Sequence, residues 1–121
     1  MNLKYEPRFA WMVTEGLKRQ TIRDELHGGR VGHVLIHYWG LVEIARSDCR
    51  NIVEIQIFPS YIYLHHPVKN WESKLEGRNA LDVFSRKDGF ADWDDLLNWF
   101  KTKNGLPSDT NHPYVGYLIM W

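Results

Sequence analysis

Polar and apolar residues alternate over residues 2–6, with Leu3 and Tyr5 on one face, which predicts a short strand stopping at Pro7. Pro7 suits the first turn of a helix. Phe9, Met12 and Val13 then repeat at i, i+3 and i+4 up to Gly16, a residue suited to a left-handed helix end. The period returns to two at residues 20–24, after which Gly28, Gly29 and Gly32 predict a mobile or tightly turning connection. β-branched and aromatic residues fill 33–39, and over 49–58 Ile52, Glu54 and Gln56 alternate with Val53, Ile55 and Ile57. Both read as strands, as does 61–65, which Pro67 ends. Residues 40–48 are expected to form a short helix or an irregular excursion, and 70–79 a polar connection.

Ala80, Leu81, Val83 and Phe84 predict a short helix up to Asp88-Gly89. A longer one follows, capped by Asp92, with Trp93, Leu96, Leu97 and Phe100 at i, i+3, i+4 and i+7. Asp94 and Asp95 in its first turn, Lys101 and Lys103 in its last and Gly105 beyond complement the helix dipole and the stop. Residues 114–121 are an apolar run suited to a buried strand. Five or six strands with two or three helices predict an α+β fold, a small and partly closed β-barrel carrying helices at its rim.

The length of 121 residues fits one domain spanning 1–121. Six Trp, six Tyr and five Phe are many for that length; the rings either fill a small core or stack on a planar ligand. A net charge of zero argues against a protein that grips duplex DNA through a basic surface. Locally, Lys18, Arg19, Arg23 and Arg30 outnumber Asp24 and Glu25, so an anionic partner is expected there and not near Asp88, Asp92, Asp94 and Asp95. The single Cys49 makes no disulfide, no apolar run reaches the roughly 18 residues of a membrane span, and a cytoplasmic location is the default expectation. Adjacent His65 and His66 point to opposite faces of a strand and no helical His pair exists, so neither metal nor cofactor is expected.

Candidate chemistry concentrates in residues 16–23. Lys18 offers a base, Thr21 a hydroxyl nucleophile and Arg23 an anion-binding guanidinium, while Arg19, Thr21 and Arg23 share one face of an extended segment. Residues three apart on a strand face opposite ways, so Lys18 reaches Thr21 only if the strand begins after the lysine. The plainer alternatives are a solvated lysine at a helix end, an ordinary strand threonine and an Arg23 paired with Asp24, Glu25 or Asp88. Tyr38 and Trp39 end a strand and either stack on a base or pack at the rim.

The Gly-x-Lys-x-x-Thr-x-Arg pattern of Gly16, Lys18, Thr21 and Arg23 resembles the signature of ASCH domains, members of the PUA-like β-barrel superfamily. Asp88-Gly89-Phe90, the aromatic helix ending in Trp99-Phe100, and residues 113–121 are similar to a small, phage-type branch of that family. The resemblance implies a five- to six-stranded PUA-like barrel. Some small ASCH proteins are amidohydrolases that deacetylate N4-acetylcytidine with a Lys, a Thr and a Glu. Lys18 and Thr21 match the first two, and Asp88 stands at the acidic position, one methylene shorter. By this resemblance Thr21 attacks the acyl carbon, Lys18 shuttles the proton and Asp88 holds the base or the lysine; the residues themselves add Arg19 and Arg23 as candidate ligand contacts and Tyr38 and Trp39 as candidate stacking rings. The expected partner is a modified nucleoside or single-stranded RNA. Other ASCH and PUA-like domains bind or cleave RNA, so a non-catalytic binding module and a ribonuclease stand as alternatives.

Overall fold

The computed structural model describes residues 1–121. In chain order the elements are β1 (Asn2–Tyr5), α1 (Pro7–Thr14), β2 (Gln20–Arg23), β3 (Val34–Trp39), β4 (Val42–Asp48), β5 (Asn51–Ile57), β6 (Tyr61–His65), β7 (Glu72–Glu76), α2 (Arg78–Lys87), α3 (Trp93–Asn104) and β8 (Tyr114–Met120). The α+β class stands, but the strands number eight, and they form two sheets, β1-β3-β4 and β2-β8-β5-β6-β7, with no barrel closed by hydrogen bonds. The two extra strands have a common cause. β4 and β7 are outer strands of their sheets and carry charged, largely exposed residues, so neither shows the apolar alternation of a half-buried strand. Residues 40–48 are therefore a hairpin arm paired with β3 and not a helix or excursion, and the polar stretch contains β7, paired with β6.

Apolar residues from both sheets and all three helices join one cluster of 23 buried residues. Across the larger sheet Ile22 lies opposite Leu118 and Leu118 opposite Val53, while Ile57 lies opposite Ile62. Each such fully buried aliphatic side chain contributes about 1.5–3 kcal/mol. α3 reaches this layer through Phe100, whose ring centroid is 4.5 Å from that of Tyr114 on β8. Its start follows the expected cap, with the Asp95 amide donating to Asp92 Oδ1 at 2.9 Å, and Gly105 ends it at φ 71°.

Two edges meet without a backbone ladder. β1 borders one sheet and β2 the other, and the Arg23 guanidinium on β2 donates to the Lys4 carbonyl on β1 at 2.8 Å. Beside this clasp the Arg23 Cζ lies 5.2 Å from the centre of the Tyr5 ring. The Tyr5 hydroxyl is 2.9 Å from His37 Nδ1, and His37 Nε2 is 3.0 Å from Ser47 Oγ. A neutral imidazole, one nitrogen donating and the other accepting, satisfies both partners.

Burial first, then the nearby Arg23 charge, push the pKa of His37 down to about 4. The folded state holds this ring neutral, so its contribution is complete above the unfolded value of about 6.5 and is lost as pH falls toward the folded one. Lowering the pH from 7 to 5 is expected to cost about 2 kcal/mol through His37 alone. Urea titrations at both pH values check this: the His37→Gln variant should lose that part of the pH dependence, and an unchanged slope would reject it.

Candidate active site

Two helix ends build the site, and both end the same way. At the exit of α1 the Gly16 amide donates to Val13 O and the Leu17 amide to Met12 O, at 3.2 and 2.8 Å, with Gly16 at φ 73°. At the exit of α2 the Gly89 amide donates to Arg86 O and the Phe90 amide to Ser85 O, at 3.0 and 2.9 Å, with Gly89 at φ 94°. Each is a Schellman turn with a left-handed glycine. The first turn points Lys18 inward before β2 begins at Gln20, which meets the geometric condition set by the sequence. The second places Asp88 opposite it.

Lys18 and Asp88 are only 2% and 3% exposed. The Lys18 amine donates to the Asp88 carbonyl oxygen at 2.5 Å and lies 3.4 Å from Asp88 Oδ1. That carbonyl is at the C-terminal end of α2, where the helix dipole favours a cation. Lys18 also sits 5.1 Å from the centre of the Phe9 ring. Desolvation pulls the lysine below its ordinary pKa, with Asp88 opposing and Arg23 reinforcing the shift. Desolvation likewise pushes the Asp88 carboxyl up, against the cations Lys18 and Arg23. Burial thus drives both partners toward their neutral forms, and they titrate as a pair.

Lys18, Thr21, Arg23 and Asp88 line one cavity of about 90 Å³ at the seam between β1 and β2, together with Tyr5, Glu6 and the rings of Phe9, Phe90, Trp99 and Phe100. Thr21 is buried, and its hydroxyl makes no hydrogen bond within the chain. Two buried polar atoms of cavity-lining residues lack a hydrogen bond, Arg23 Nε and Asp88 Oδ1, the latter keeping only its 3.4 Å ion-pair contact with Lys18; Gln20 Nε2, on a residue that does not line the cavity, is a third. The Gln20 side chain is close enough to lower the Asp88 pKa, although it forms no aligned bond with the carboxylate. An unpaired buried donor costs about 1–3 kcal/mol, so a polar acceptor placed in the cavity against Arg23 Nε would be stabilised.

No family model, curated protein or solved structure matches the chain. The geometry of the site therefore carries its interpretation.

Of the residues singled out in the sequence, Lys18, Thr21, Asp88 and Arg23 converge and three do not. Arg19 precedes β2, so strand alternation does not govern it; its side chain is exposed, while its carbonyl accepts from the Trp121 amide. Tyr38 and Trp39 follow a bulge between His37 and Tyr38, and neither lines the cavity. Trp39 instead borders an apolar groove beside Pro7, Trp11 and Ile44. The residues missed were Gln20, Tyr5 and His37, which share strand parity with the inward-facing Ile22, Leu3 and Leu35. A polar residue at an inward position was the signal that could have found them.

Gly89 ties the backbone to this arrangement. A Cβ there would lie 2.9 Å from Phe9 Cδ1 and 3.3 Å from Lys18 Cδ, at a φ that side chains rarely adopt. Gly89→Ala is expected to lower stability by about 2 kcal/mol and to displace the lysine. Urea denaturation reads the first effect, and a change below about 0.5 kcal/mol would contradict it.

Proposed function

We propose that the protein is an amidohydrolase that removes an acyl group from the exocyclic amine of a modified cytidine, as nucleoside or exposed RNA base. The observation that carries this reading is the convergence of a buried lysine, a free hydroxyl and a buried carboxyl on one cavity edged by an arginine. The likeness of residues 16–23, of Asp88-Gly89-Phe90 and of residues 113–121 to ASCH sequence motifs supports it.

The residues suffice for a two-step transfer. Thr21 Oγ attacks the acyl carbon as the neutral Lys18 amine takes the hydroxyl proton. The C–N bond breaks, Lys18 returns the proton to the departing amine, and an acyl ester remains on Thr21. Water then attacks the ester, with Lys18 taking its proton and passing it back to Thr21 Oγ, which releases the carboxylic acid. Arg23 Nε supplies a donor for the developing oxyanion, and Asp88 steadies the ammonium form of Lys18.

A neutral lysine is required, and burial is what lowers its pKa. The experiment is incubation of purified protein with N4-acetylcytidine and chromatographic measurement of cytidine. Release of cytidine supports the reading, and no release from pH 6 to 9 rejects it.

A further inference from the structure

The cavity is small for a whole ligand. Its volume of about 90 Å³ is roughly three waters' share of liquid, well below the 300–1,000 Å³ of pockets that enclose drug-sized molecules. A pyrimidine and its acyl group do not fit inside together. Past Lys4 and Arg23, which line both spaces, lies an open groove of about 840 Å³ bordered by Met1, Asn2, Asp24 and His27. Thr21 and Lys18 line only the inner space.

The inner wall is also stiff. Phe9 meets Phe90 and Trp99 edge to face at 5.2 and 5.0 Å between centroids, and Phe90 lies 6.0 Å from Trp99 and 6.5 Å from Phe100. Arg8 covers Phe9, Phe90 and Trp99 within 5.7 Å and pairs with Asp95, which fixes the cluster from outside. A ring held by two or three others has no low-energy route to step aside.

We infer that the inner cavity is an acyl pocket with a size limit: it admits formyl and acetyl groups and rejects butyryl and aromatic acyl groups, while the amine portion of the substrate occupies the outer groove. This rests on the amidohydrolase reading. It adds a selectivity set by Phe9, Phe90, Trp99 and Phe100 and not by the groups that perform the reaction.

The test is the hydrolysis of N4-formyl-, N4-acetyl-, N4-butyryl- and N4-benzoylcytidine by the full chain, read as kcat/KM. The expected result is that the first two are substrates and the last two fall at least about 100-fold below acetyl. In Phe90→Ala the ratio of butyryl to acetyl should rise at least about tenfold. Trp99→Phe, a milder change at a half-buried position, should raise it in the same direction and serves if Phe90→Ala fails to fold. Benzoyl turnover equal to acetyl, or ratios unmoved in both variants, overturns the size limit and leaves deacylation standing. No hydrolysis of any of the four overturns deacylation itself, and the size limit with it.

Discussion

Thr21→Val should leave the protein folded and lower kcat for N4-acetylcytidine at least about 10³-fold. Valine keeps the shape of threonine and removes only the hydroxyl, which makes no hydrogen bond in the fold, so the loss belongs to chemistry and not to packing. Thr21→Ser keeps a nucleophile and should retain a measurable part of the rate. Parallel thermal melts separate the two effects. A valine variant within about tenfold of the parent would remove Thr21 from the reaction, whatever else the cavity does. The pH profile adds a second reading. The rate should climb with pH as Lys18 loses its proton, and the climb should begin below the ordinary lysine range, because desolvation lowers that pKa.

The second large effect concerns the buried pair. Lys18→Met strands the Asp88 carboxyl, and Asp88→Asn strands the ammonium; each is expected to cost about 3 kcal/mol in urea denaturation at pH 7. The double variant replaces both charges together and should be more stable than the sum of the singles by about 2 kcal/mol. It should nevertheless be inactive, since the base is gone. Strict additivity would show that the 3.4 Å approach of amine and carboxylate carries no coupling. Recovery of activity in the double variant would show that the pair serves only the fold.

How far the sequence could be read depends on where each signal resides. α1, α3 and β5 were legible because local spacing and caps state their start, stop and buried face within a few residues. β4 and β7 were not, because an outer strand is defined by the neighbour it pairs with, and Glu43, Arg46, Glu72 and Lys74 alternate no apolar face. Within the site, Lys18 and Thr21 lie three residues apart and could be related by strand parity. Asp88 is 70 residues from Lys18, and only the resemblance brought it in. The aromatic wall draws on α1, the turn after α2, and α3. No periodicity foretells such a meeting of distant segments, although Phe9 and Phe100 each read as an apolar helix position and Phe90 as part of the Asp88-Gly89-Phe90 motif.

The Arg23 clasp between β1 and β2 has a consequence for how such a protein can change. Where neighbouring strands share a ladder, their spacing is fixed at about 4.8 Å by the backbone and no side chain can reset it. Here the separation is spanned by one long, charged arm reaching the Lys4 carbonyl. A shorter residue at position 23 releases the two edges from each other and takes the guanidinium from the cavity wall at the same stroke, so the spacing of the seam and the charge of the cavity are inherited together through one side chain.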